Sequence, residues 1–152
     1  MKKYQDISSL LLRVATAANF LSPVADRFGL WGQAGQPGVA WGNWQNFVTY
    51  TGQVNSFAPQ SLVPLLAIAA TVLEVILALL LLVGFQTRVA ALGSAFLTLL
   101  FALAMSYSFG IKAPLDYAVF VDCSSAFLLA TLPRYRWSLD EWLRNQTTTS
   151  IV

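Results

Sequence analysis

The chain has 152 residues, of which 57% are hydrophobic and 11% charged, with a net charge of +2 and a mean hydropathy of +0.61. A soluble domain carries about 25% charged residues, so this is a membrane-protein composition, and no Lys/Arg-rich run or binding motif points to nucleic acid. With no His and a single Cys, Cys123, several chemistries are excluded: His-ligated haem, His-rich metal sites, an internal disulfide, dithiol redox, and Ser–His or Cys–His catalysis.

Four apolar stretches are each near the ~20 residues a helix needs to cross a bilayer. They run over about 7–31, 62–84, 89–109 and 114–132. The expected fold is therefore all-α: one integral membrane four-helix bundle occupying residues 1–152. The first stretch follows Lys2 and Lys3, as a cleaved signal peptide would, but Arg13 interrupts it and the apolar pattern continues past Asn19 and Pro23. Pro23 is expected to kink this helix, with Asp26 and Arg27 as an interfacial pair near its far end.

The connection over about 32–61 opens with Gly and Pro and reads as loop. Trp41, Trp44, Phe47 and Val48 then fall near one helical face. They predict either a short interfacial helix with its indoles at headgroup depth or an aromatic cap over the bundle mouth. The second and third stretches are joined by "VGFQTR", where Gly84 can end a helix, so they pack antiparallel. Pro114 and Asp116 suit the start of the fourth helix, and Lys112 precedes them. Beyond Leu132, Ser138 followed by Asp140 and Glu141 predicts a short amphipathic helix over 138–144.

Glu74 stands in the middle of "ATVLEVILALLLLVGF". Residues three and four apart share a helix face, and its face holds Ala67, Ala70, Thr71 and Ala78, against Leu73, Ile76, Leu80 and Val83 opposite. Small residues mark helix–helix seams in membranes, so Glu74 faces the bundle. Matching stripes are Ala91, Ser94, Ala95, Thr98 and Ala102 in the third stretch. The fourth offers Ala118, Asp122, Ser125 and Ala126, and the first Arg13, Thr16, Ala17 and Asn19. Arg13 lies roughly 9 Å and Glu74 roughly 15 Å from the same end of their helices. That depth predicts an Arg13–Glu74 pair, with Asp122 joining it. Such a pair reads as a register-fixing clasp, as a headgroup- or quinone-binding site, or as part of a proton or ion path. The candidate ligand residues are Arg13, Glu74, Asp122, Asn19 and Thr71. The candidate pocket mouth is Asp26, Arg27, Trp41, Trp44, Lys112 and Asp116. No metal site and no catalytic residue is expected.

The segments "LLRVATAANFLSPVADRFGLWG", "ATVLEVILALLLLVGFQTRVAAL" and "GIKAPLDYAVFVDCSSAFLLA", in this order over nearly the whole chain, resemble the DoxX-like small four-helix membrane proteins. The resemblance implies an accessory subunit of a membrane oxidoreductase system, since some relatives look like subunits of such enzymes. Thiol redox would need paired cysteines, which this chain lacks, so a bound quinone or a partner protein would carry electrons. The expected cofactor-like molecule is a noncovalently held quinone or lipid. The expected partners are the bilayer and a membrane or periplasmic redox protein, with a homo-oligomer left open and no nucleic acid. A non-catalytic chaperone or adaptor is the alternative, and a small transporter a third, disfavoured by the lack of an internal repeat. Lys2, Lys3, Arg88, Arg134, Arg136 and Arg144 fall on one side and Arg27 and Lys112 on the other. By the positive-inside rule this predicts a multi-pass protein of the bacterial inner membrane with both termini cytoplasmic.

Overall fold

The computed structural model describes the backbone of residues 2–149 and the side chains of residues 3–146. Among these residues the chain is helical with no strand. Three helices are long and apolar enough to cross a membrane: α1 (Lys2–Arg27), α3 (Val63–Val83) and α4 (Thr87–Phe109). Helix α6 (Val119–Thr131) is a shorter apolar helix. Helices α2 (Trp44–Val54), α5 (Lys112–Asp116) and α7 (Leu139–Thr149) are shorter, and a 3-10 turn at Gln60–Leu62 leads into α3.

Helix α1 packs against α3 and α6, and α4 packs against the same two, which closes a four-helix ring with α1 and α4 on the diagonal. The helices approach closely because the seam is alanine: Ala17, Ala67, Ala78, Ala90, Ala91, Ala102 and Ala126 are fully buried. Large side chains point the other way. Leu73, Ile76, Val83, Phe96 and Leu103 are exposed on the outside, an arrangement that suits lipid and would be a liability in water. The seam hydroxyls are satisfied within their own helices, Thr71 by the Ala67 carbonyl, Ser94 by Ala90 and Thr98 by Ser94.

The fourth span differs from its expected form. It is not one helix from Pro114. Asp116 ends α5 rather than starting a helix, and Ala118 at φ 54 breaks the path before α6 begins. The first helix stops at Arg27, and Gly29 at φ 73 turns the chain at a point where apolarity alone carried the reading to Trp31.

At the end of the bundle that carries the termini, the tail is integrated into the fold. Gly84 at φ 72 ends α3, with its N–H and that of Phe85 donating to the Leu80 carbonyl. Gln86, in the left-handed region, supplies no side-chain cap to α4. That service comes from Asp140, whose carboxylate accepts the backbone N–H groups of Gln86 (2.7 Å) and Thr87 (2.8 Å). Asp140 in turn donates its own N–H to the Gly84 carbonyl. Ser138 caps α7 by accepting the Glu141 N–H, while the Glu141 carboxylate accepts the N–H of Trp137, the residue before the cap. Nearby, the buried Asp6 carboxylate is gripped by Arg134 at 2.9 and 3.1 Å and by Arg136 at 3.4 Å.

Candidate functional site

Glu74 does face the bundle and is 3% exposed, as its small-residue face requires. Its partner is Arg27, not Arg13. Arg27 Nη2 donates to Glu74 Oε1 at 3.1 Å, and Arg27 Nη1 donates to Glu74 Oε2 and, at 2.7 Å, to Thr71 Oγ1. Both charged side chains are 4% exposed. The reason is directional. Side chains on a helix lean toward its N-terminus. From the last residue of α1, Arg27 therefore reaches back along the bundle to the level of Glu74 on the antiparallel α3. Arg13 leans the opposite way from Glu74, toward the terminal end. There its Nε donates to the Leu81 carbonyl (2.8 Å), Nη2 to Leu82 (3.1 Å), and Nη1 to Arg136 and Trp137 (both 3.2 Å). These include carbonyls at the C-terminus of α3, where a cation is favoured. Arg13 is thus a staple joining α1, α3 and the segment before α7.

The loop end covers the ion pair. Phe47 of α2 places its ring 3.7 Å from the Arg27 guanidinium carbon, and the Trp41 ring lies 5.5 Å away. Asp26 holds this cover down: its carboxylate accepts the backbone N–H groups of Ala40 (2.7 Å), Gly42 (3.0 Å) and Trp41 (3.4 Å). Asp26 is therefore a loop anchor and not the interfacial partner of Arg27. Trp41 precedes α2, so it does not share a helical face with Phe47; the two rings meet edge to face with centroids 5.1 Å apart. Trp44, the first residue of α2, stacks on Phe28 at 6.0 Å. Among the described residues, one atom of the cluster has no hydrogen-bond partner: the buried Arg27 Nε. A buried guanidinium N–H can donate to an oxygen acceptor, and the neighbouring aromatic rings suit a flat or apolar group. In these two respects the residues fit a quinone- or lipid-like molecule.

The remaining candidates lie elsewhere. Asn19 Nδ2 donates to Asp122 Oδ1 at 2.9 Å on the outward side of the α1–α6 contact, so neither joins Glu74 or Arg13. Alanines occupy several sides of α1, and its seam does not by itself say that Asn19 turns outward. Lys112 and Asp116 form an exposed i,i+4 ion pair within α5 and line no mouth. Cys123 packs against α4, its thiol 3.2 Å from the Ala95 carbonyl. A groove of about 500 Å³, lined among others by Val83, Trp137, Ser138 and Trp142, opens at the terminal end, remote from Arg27 and Glu74. No His/Cys/Asp/Glu group with metal-ligand geometry occurs among the described residues. Phe47, expected on the aromatic face beside Trp41 and Trp44 but absent from the candidate ligand and mouth residues, is the one of these rings that lies nearest the Arg27 guanidinium. The aromatic spacing around Trp41 and Trp44 was its signal. Asp6 carried no such signal.

No curated protein and no solved structure matches the chain. The DoxX family model matches residues 8–107, a stretch that runs from α1 through most of α4 and contains Arg13, Arg27, Phe47 and Glu74. With three long apolar helices in a closed helical bundle and that match over more than half its length, the chain belongs to the DoxX family of membrane proteins.

Proposed function

We propose that this chain is a non-catalytic accessory subunit of a membrane oxidoreductase system, and that it holds the head of a quinone- or lipid-like molecule at the Arg27 cluster. The observation that carries the reading is the unspent Arg27 Nε donor, buried between Glu74 and the Phe47 and Trp41 rings. Ionisable side chains within membrane spans are functional candidates by default, and this one combines a hydrogen-bond donor with aromatic faces. Lacking His and paired Cys, the chain positions such a molecule for a membrane or periplasmic redox partner. The test is purification in mild detergent followed by mass spectrometry of extracted quinones and phospholipids. Wild type should carry one such molecule near stoichiometrically, and a folded Phe47→Ala variant should lose it. A wild type with nothing bound ends this reading.

The second reading, a membrane adaptor with a purely structural clasp, is favoured by one observation: both carboxylate oxygens of Glu74 already accept from the Nη atoms of Arg27. The orientation we propose is both termini cytoplasmic in a bacterial inner membrane. Lys3, Arg88, Arg134, Arg136 and Arg144 cluster at the terminal end, against Arg27 and Lys112 at the loop end. Cysteines introduced at Gln36 and Gln146 should label from opposite sides of the membrane, and labelling from one side overturns the orientation.

A further inference from the structure

Leu, Ile, Val and Phe dominate the outer surface of the bundle, and one flank departs from them. There α1 exposes Ala15, Ala18, Asn19 and Ser22, positions that fall on one helical stripe, and Asp122 of α6 stands beside them half-buried. Asn19 lies roughly 12 Å along the axis of α1 from Arg27, within the ~30 Å hydrocarbon thickness a spanning helix crosses. A carboxyl group facing hydrocarbon there is costly. Its bond to Asn19 satisfies only part of the pair. Among the described residues, the second amide hydrogen of Asn19 and Asp122 Oδ2 have no hydrogen-bond partner.

We infer that a second copy of this chain covers the flank, in a two-fold dimer joined along α1 and α6. The hydrogen-bonding inventory is self-complementary. Each copy presents one spare amide N–H and one spare carboxyl oxygen. A two-fold axis sets the first of one copy against the second of the other, twice, because an isologous interface pairs i with j and j with i. The result is a closed ring of four hydrogen bonds, two within copies and two between them. A protonated Asp122 fits equally, donating its O–H to the amide oxygen of the other copy. Lipid chains offer neither donor nor acceptor at this depth, and an unrelated helix would need both at matching positions, whereas a second copy has them by construction. Ala18 and Ser22, four residues apart, give the small–xxx–small spacing that lets helix backbones approach. This dimer is independent of any molecule held at Arg27, whose side chain turns toward α3.

The experiment uses the full chain reconstituted in bilayers, with subunit stoichiometry counted by single-molecule photobleaching over a range of dilutions. Wild type should dimerise. Asn19→Asp sets four carboxyl groups around the axis and removes both intermolecular amide donors. Two membrane hydrogen bonds at the usual ~0.6 kcal/mol each correspond to about a tenfold weaker association, with carboxyl repulsion adding to it. The swap Asn19→Asp with Asp122→Asn restores complementarity and should restore the dimer. For a readout that does not depend on how these variants fold, Ala18→Cys in a Cys123→Ala background should form a disulfide-linked dimer on oxidation in membranes. Leu103→Cys, exposed on α4, should not. A monomeric wild type overturns the inference, as does Asn19→Asp associating as tightly as wild type. A link through Leu103 in place of Ala18, or a different protein bound at the flank in equal amount with no self-link, overturns it too.

Discussion

A double-mutant cycle distinguishes the two possible partners of Glu74. Glu74→Ala leaves the Arg27 guanidinium buried, with Thr71 and the aromatic cover as its remaining contacts. Arg27→Ala leaves the Glu74 carboxylate buried with no cation. Removing one member of a buried ion pair costs about 3–5 kcal/mol, chiefly from the charge left behind, so each single change should destabilise by that order. Arg27→Met with Glu74→Leu removes both charges at similar volume and should recover much of the loss. Recovery will be incomplete, because the contact with Phe47 is worth about 2 kcal/mol when desolvated. The Arg27–Glu74 coupling should therefore approach about 3 kcal/mol. Arg13 binds carbonyls seven and eight residues beyond Glu74, roughly 11 Å along the helix. Arg13→Ala and Glu74→Ala should then add within about 0.5 kcal/mol. The assay is unfolding by SDS in mixed micelles, followed by tryptophan fluorescence. A coupling between Arg13 and Glu74 as large as that between Arg27 and Glu74 would refute the assignment.

Gly84→Ala should cost more than Gly35→Ala in the same assay. Both glycines have positive φ, but a Cβ at Gly84 would meet Arg13 Nη2 and Ser138 Cβ, while Gly35 has open space. The expected penalty at Gly84 is well above the ~1 kcal/mol of backbone strain alone. Asp140→Ala uncaps α4 and should cost about 1 kcal/mol, with faster hydrogen exchange at the Gln86 and Thr87 amides. The Tyr50 phenol, in α2 outside the spans, is pushed above its ordinary value by burial and secondarily by Tyr117. Its neutral form is the one the fold favours, so its contribution is complete below the unfolded phenol pKa and is lost as pH rises through the raised folded value. Thermal stability should fall in that alkaline window, and Tyr50→Phe should flatten the decline.

Local pattern alone determined the all-α membrane class, the tight turn at Gly84, the helix start at Ser138 and the inward direction of Glu74. Each follows from residues within a turn or two of one another, where helix periodicity and backbone preference act directly. The identity of the partners was decided only by the tertiary structure. Which arginine meets Glu74 depends on the axial offset of α1 against α3 and on the lean of each side chain toward its helix N-terminus, which sends Arg27 toward Glu74 and Arg13 away from it. The seam of α1 was legible at Arg13, Thr16 and Ala17, which are buried, but Asn19 was read into that seam and lies outside it. Packing against both α3 and α6 buried Ala17 and turned Asn19 outward to Asp122. Asp140 capping α4 from more than fifty residues away, and Asp6 gripped by Arg134 and Arg136 across almost the whole chain, have the same cause. Charge and hydrogen-bond capacity are properties of single residues, but who answers them is set by how the helices close into a ring.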